Sequence, residues 1–214
     1  MRSAMIRSAA GSPLRQIVRM ILNAIGLVLA APWIAYAWVA LHVFRSTGGY
    51  SAVSYLISLA PGMPGVLVRR AFYCTMLDRC HWDLTISFGS VLHDPYTRVG
   101  RRVWIGAYCV IGRCRLGDAV LIASRVSVLS GRYEHRFDSL DVPVRDQDGE
   151  VEPVEISDDC WLGEGSIVMA DVGAHSVVGA GAVVVKPVGE LLVVAGNPAR
   201  QIGVRGHQSA ATSS

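Results

Sequence analysis

The side chains of this sequence best suited to moving a proton are its six histidines, His42, His81, His93, His135, His175 and His207. An imidazole titrates near pH ~6.5, which suits general-base work. His42 ends an apolar segment and His207 stands in a small polar tail, so both read as incidental. His175 falls at a turn where polar residues recur, a solvated corner. His81 and His93 lie at the ragged start of a repeat and serve structure as readily as chemistry. His135 differs. It follows directly on the end of a regular stretch, among Arg132, Glu134, Arg136 and Asp138, in a charged run with no period. Long non-periodic loops inside a compact domain are functional or disordered. His135 is therefore the expected general base, with His81 or His93 next in line.

The element that must position His135 is the repeat it interrupts. Val99, Ile105 and Ile111 stand six residues apart, and after one skipped residue Leu116, Ile122 and Val128 continue the series. Glycine follows the first four of these aliphatics, at Gly100, Gly106, Gly112 and Gly117. A small or β-branched residue follows four places on, at Val103, Cys109, Val120 and Val126. A six-residue period fits neither helix nor two-sided strand, and it holds its spacing too long for a run of hairpins. It starts weakly from about Thr85, at Ser87 and His93. The excursion covers 131–155, after which Ile156, Leu162, Val168, Val172, Val178 and Val184 resume it. Three short extended segments per turn, each with one aliphatic inward, close a triangle. Stacked triangles make a parallel β-helix of about four to five coils, with successive coils about 4.8 Å apart.

The chain is 51% hydrophobic and only 17% charged, with a net charge of +3. That is too apolar for disorder and suggests membrane contact. No basic cluster interleaves with aromatics, so nucleic acid is not an expected partner. The five cysteines form no CxxC pair, and Cys109 and Cys160 fall at inward positions. Residues 1–19 are a basic lead. Met20 to Phe44 contain no charged residue, long enough to span a bilayer and too long for a cleaved signal. Pro32 divides this run, so a kinked re-entrant hairpin or a deeply interfacial anchor is expected within 1–48, with a straight single span as the alternative. Residues 49–84 form two helical pieces around PGMPG. There Arg69 and Arg70 either face lipid phosphate or pack against the core. The repeat domain covers 85–205, and 206–214 form a disordered tail.

The segments DDCWLGEGSIVMADVG, GAGAVVVKPV, AGNPAR and the looped SGRYEH resemble the hexapeptide-repeat acyltransferases over about residues 85–205. The chain is similar to the maltose/galactoside, xenobiotic and polysaccharide-biosynthesis O-acetyltransferases. The resemblance implies a mainly β fold, a left-handed parallel β-helix, here with an N-terminal apolar helical membrane anchor. It implies a homotrimer and acetyl-CoA as co-substrate, its pantetheine arm in a groove between neighbouring β-helices. Carried over by motif, Trp161 of WLG lies near the arm, Gly163 follows it, and Ala180 of GAGAVV supplies a backbone contact. Lys186 and Arg200 match the basic residues near the phosphates, a charge that two cations suit. Val185 stands where threonine is common, which removes a hydroxyl. His135 would be the base, oriented by Glu134, Asp138, Asp141 or Asp94, with corner N–H groups holding the oxyanion. A zinc lyase of the same fold needs a close histidine pair that is missing, so no metal is expected. The implied activity is acyl transfer to a sugar hydroxyl of a polysaccharide or lipid-linked glycan, with the catalytic domain on the cytosolic side of the cytoplasmic membrane. A small soluble acceptor, or a non-catalytic scaffold, is the alternative.

Overall fold

The computed structural model describes residues 13–131 and 136–206. From Thr85 the chain winds as a parallel β-helix with three faces. The first face stacks Thr85–Ile86, Trp104–Ile105, Leu121–Ile122, Trp161–Leu162, Val177–Val178 and Leu192–Ala195. The second stacks Val91–Leu92, Val110–Ile111, Ser127–Val128, Ile167–Val168 and Val183–Val184. The third holds Arg98–Val99, Cys114–Leu116 and Val154–Ile156, extended by single bridges from Arg79 below and to Val172 and Val188 above. The register brings like positions together, so Ile105 sits on Ile122 and Ile122 under Leu162. Each of these three side chains is wholly buried, worth roughly 1.5–3 kcal/mol apiece. The residues two places earlier, Val103, Val120 and Cys160, also point inward and are buried.

Corners are turned by residues in the left-handed region, among them Tyr108 (φ 58°), Arg125 (φ 59°) and His175 (φ 61°). That conformation costs a non-glycine residue roughly 1–2 kcal/mol. It also aims the N–H down the stack: Tyr108 N donates to Phe88 O at 3.0 Å and Arg125 N to Ala107 O at 2.8 Å. Glycine after the early aliphatics answers a different need. A Cβ on Gly106 would lie 2.5 Å from the Ala123 carbonyl carbon of the next coil, so at this position only glycine fits. At the start of the stack the inward residues are Ile86 and Leu92, one place before Ser87 and His93. A longer corner through Asp94–Tyr96 then restores the spacing to Val99.

Three helices close the first turn: α1 (Pro13–His42), α2 (Gly48–Ser58) and α3 (Gly62–Met76). α2 and α3 lie on the open end of the β-helix and bond its free backbone groups. Tyr50 Oη donates to Leu92 O at 3.0 Å, and Leu92 N donates to Tyr73 Oη at 3.2 Å. Arg69 is fully buried, and burial pushes its guanidinium below the ordinary arginine range. It donates to Ile86 O at 3.1 Å and to Ile57 O, Ser58 O and Ala60 O at 3.2, 3.3 and 2.7 Å, so it caps the C-terminus of α2. Arg70 donates to Leu84 O and to Asn23 Oδ1. The lipid-phosphate reading of these two arginines is therefore overturned, because both are spent on carbonyls and an amide inside the fold.

The kinked hairpin is overturned as well. α1 runs unbroken for 30 residues with Pro32 inside it, about 45 Å at 1.5 Å per residue. Gly26, Ala30 and Ala37 are buried against the body, close enough that a Cβ on Gly26 would lie 2.7 Å from Leu67 O. Docking along this small-residue stripe supports a helix that continues past the bond that proline removes. Leu14–His42 is long and apolar enough to cross a membrane by length and composition.

Candidate functional site

The excursion leaves the second face after Val128 and rejoins the third face at Val154, two residues before the expected end, since Glu155 already pairs with Arg115. Its expected base, His135, and Glu134 lie outside the described residues. The surrounding frame is defined. Gly131 adopts φ 101°, and a Cβ there would meet Glu152 O at 3.0 Å, so the two ends of the loop touch at its neck. Gln147 braces the interior, its amide donating to Ser139 O at 2.9 Å and Val142 O at 2.8 Å. The tip exposes Phe137 and Leu140.

Of the acids considered as partners for His135, Asp138 is held by Arg136 in a two-pronged pair at 3.0 and 2.7 Å, which keeps its carboxyl below the usual carboxylate range. Asp141 is exposed beside Ser139. Asp94 is fixed: Oδ2 accepts from Arg113 Nε at 2.9 Å, Oδ1 accepts from Tyr96 N at 2.7 Å, and the Arg113 guanidinium lies 5.1 Å over the Tyr96 ring. Arg113 N donates to Ser130 Oγ at 2.9 Å. The Asp94–Arg113 pair thus forms a column directly beneath the neck of the loop. Three other histidines make side-chain contacts within the fold. His175 Nδ1 lies 3.0 Å from Asp159 Oδ2, a corner that Arg205 joins. His93 packs edge-on to Tyr55 and His42 stacks on Trp38.

The cofactor candidates separate into three places. Lys186 and Arg200 come together across a groove of about 340 Å³ at the end of the β-helix away from the helices, with Val188, Leu192 and Val194 as its apolar wall. The AGNPAR segment shapes this end through a cis Asn197–Pro198 bond and the closing strand Arg200–Val204, antiparallel to Leu192–Ala195. Gly163 and Ala180 meet on successive coils, where a Cβ on Gly163 would lie 2.6 Å from Ala180 N. Trp161 points outward from the first face, half-exposed, in a row with Leu121 and Val177. None of Trp161, Gly163 and Ala180 lines the groove that holds Lys186 and Arg200. The corner N–H groups expected to hold an oxyanion are already committed: His175 N donates to Asp158 O and Gly181 N to Glu164 O, at 2.9 and 2.8 Å.

Two features escaped sequence reasoning. The outward positions of the third face line a cavity of about 490 Å³, in which Arg79, Arg98 and Arg115 face Asp118, Glu155 and Asp158. The alternation of outward charges between inward aliphatics is the signal that could have found it. Cys74 and Cys80, both half-buried free thiols, also meet at 2.9 Å, a contact across a helix end that spacing alone does not reveal.

No family model matches the chain. A protein of Mycobacterium tuberculosis named as a probable acetyltransferase is 30% identical over 115 residues, 51% of this chain and 38% of that protein. The chain therefore spans well under half the length of this curated relative. Among solved structures, a maltose O-acetyltransferase from Clostridium difficile 630 superposes with a TM-score of 0.66 at 19% identity, over 79% of this chain and 91% of that one. A galactoside acetyltransferase in complex with coenzyme A gives 0.60 at 18% identity, over 76% and 82%. A hexapeptide-repeat-containing acetyltransferase from Vibrio cholerae gives 0.59 at 22% identity, over 76% and 92%. The chain has the fold of the hexapeptide-repeat acetyltransferases.

Proposed function

We propose that this protein is an acetyl-CoA-dependent O-acetyltransferase held at the cytosolic side of the cytoplasmic membrane by α1. Its acceptor is a sugar hydroxyl of a polysaccharide or lipid-linked glycan. The observation that carries this reading is the groove joining Lys186 and Arg200, two cations from distant motifs brought to one apolar-walled cleft on this fold. Lys186 forms no ion pair among the described residues, which leaves its ammonium available for a phosphate.

In the reaction, an imidazole nitrogen of His135 takes the acceptor hydroxyl proton as the oxygen attacks the thioester carbonyl. The tetrahedral adduct then collapses, the carbon–sulfur bond breaks, and the departing CoA sulfur receives that proton. Asp94, fixed beneath the neck of the excursion by Arg113 and Tyr96 N, is the acid we assign to orient the base. Trp161, Gly163 and Ala180 do not line the Lys186–Arg200 groove, so a groove between neighbouring chains of a homotrimer would unite them. The exposed Trp104, Leu121 and Phe137 fit such burial. The exposed apolar length of α1 supports the anchor, and a bilayer-held enzyme meets a lipid-linked acceptor at raised effective concentration.

The test separates chemistry from binding. His135→Ala should lower turnover of labelled acetyl-CoA by about 10²–10⁴ with calorimetric acetyl-CoA affinity unchanged. Lys186→Ala with Arg200→Ala should do the reverse, weakening binding first. Acetyl-CoA binding without turnover on any glycan acceptor would favour a scaffold, and no binding at all would end the proposal.

A further inference from the structure

α1 is docked on the protein by one side, and what it turns away is apolar. At 100° per residue, positions 15, 19, 23, 26, 30, 34, 37 and 41 form a single stripe. From Gly26 to Leu41 this stripe is the buried or partly buried side of the helix. Its first members are polar, Arg15, Arg19 and Asn23. Arg70 reaches Asn23 Oδ1 at 3.2 Å, which fixes the polar end of the stripe on the body side too. The opposite side runs Leu14, Ile21, Ile25, Val28, Pro32 and Val39, all exposed. A helix docked on a protein in water carries the reverse arrangement, with polar residues facing out.

The docking leaves little free helix for a simple crossing. Among the described residues, the helix is held against the body from Asn23 to Leu41, and residues 13–22 project beyond it. That is about 15 Å of helix against a hydrocarbon core of about 30 Å. The flanks agree with a helix lying flat. Trp33 at the edge of the docked stripe and Trp38 on the flank beyond its other edge are 39% and 50% exposed, and ring side chains of this kind meet lipid headgroups. Arg15 and Arg19 project on the body side, at the level where lipid phosphates lie. A protein partner covering the same side would have to supply acids for these arginines, which a bilayer provides as phosphate.

We infer that α1 lies in the plane of a lipid bilayer, its Leu14–Val39 side among the acyl chains and its docked side carrying the β-helix, and does not cross. This rests on the membrane reading above and specifies its geometry, so that both ends of α1 and the catalytic domain share one side of the membrane.

The full chain, with an epitope at its N-terminus, should be expressed and recovered in sealed vesicles whose cytosolic face is outward. Added protease should remove the epitope and the β-helix together. An epitope protected while the β-helix is digested overturns the in-plane geometry and leaves the anchor standing. Recovery of the whole chain in the soluble fraction overturns both. On phosphatidylcholine–phosphatidylglycerol vesicles, Ile25→Lys with Val39→Lys should lower partitioning about tenfold or more. Both positions are exposed, so an unchanged far-ultraviolet spectrum serves as the folding control. Arg15→Glu with Arg19→Glu should weaken binding about fivefold for each charge removed, on anionic vesicles only. Unchanged partitioning of the lysine variant overturns the inference. So does a stable dimer that this variant dissociates, since the occupant would then be a second copy.

Discussion

The β-helix and α1 are both rich in aliphatic side chains and use them in opposite senses. In the β-helix every sixth residue turns to the axis, and Ile105, Ile122 and Leu162 vanish from the surface. In α1 the residues that dock are the small ones, Gly26, Ala30 and Ala37, while Val28 remains 74% exposed. Apolar content therefore says that a segment avoids water, and only the period says whether its partner is the chain itself or something outside it. A six-residue period closes on itself. A helical stripe of small residues leaves its large ones exposed.

The sharpest way to break the contrast is to remove one aliphatic from each region. Ile122→Ala should destabilise the fold by about 2–5 kcal/mol in denaturant titration, whereas Val28→Ala should move stability by less than about 0.5 kcal/mol. Equal effects would mean that α1 is part of the core. Next comes the joint between the regions. Arg69→Met should cost about 3 kcal/mol, because four carbonyls lose a buried donor, and Arg69→Lys should recover only part of it, since an ammonium cannot span the same four acceptors. Full rescue by lysine would show that charge, not the fork, matters there. Gly163→Ala should cost about 1–3 kcal/mol by forcing a Cβ against Ala180 N, with a loss of melting temperature even without acetyl-CoA. The smallest effect is electrostatic. Its hydrogen bond with His175, aided by the charge of Arg205, holds the Asp159 carboxyl below the usual range. That contribution is present above the ordinary carboxylate pKa of about 3.9 and is lost as pH falls through the lowered value. Asp159→Asn should therefore flatten the acid limb of a melting-temperature profile slightly, and an unchanged limb would show the corner to be inert.

Much of the fold was legible because a repeat states its rule many times over. Val99, Ile105, Ile111 and Leu116 locate the core without any three-dimensional information, and the break after Val128 locates the loop. Where the rule is stated only once, reading failed. Ile86 and Leu92 precede a corner lengthened by Asp94–Tyr96, so counting back from Val99 at a fixed step lands on His93. Pro32 signalled a break because its cost is local and visible, while the burial of Gly26, Ala30 and Ala37 against the body, which keeps the helix continuous, is a tertiary contact. Arg69 stood among apolar neighbours with nothing in sequence to reveal four carbonyls waiting 9 to 17 residues away. Of the candidate site, the motifs containing Lys186 and Arg200 were readable, but their convergence on one groove depends on how the closing strand folds back.

The stack of coils is also a measure of length. On the third face five pairing steps separate Arg79, beside the helical layer, from Val188 in the groove wall, which sets the two ends roughly 24 Å apart at 4.8 Å per step. The height of the groove above the helical layer is thus counted in whole turns of chain. Lengthening the protein by one turn would lift the groove by a single increment and leave its walls unaltered, so reach and chemistry can vary independently.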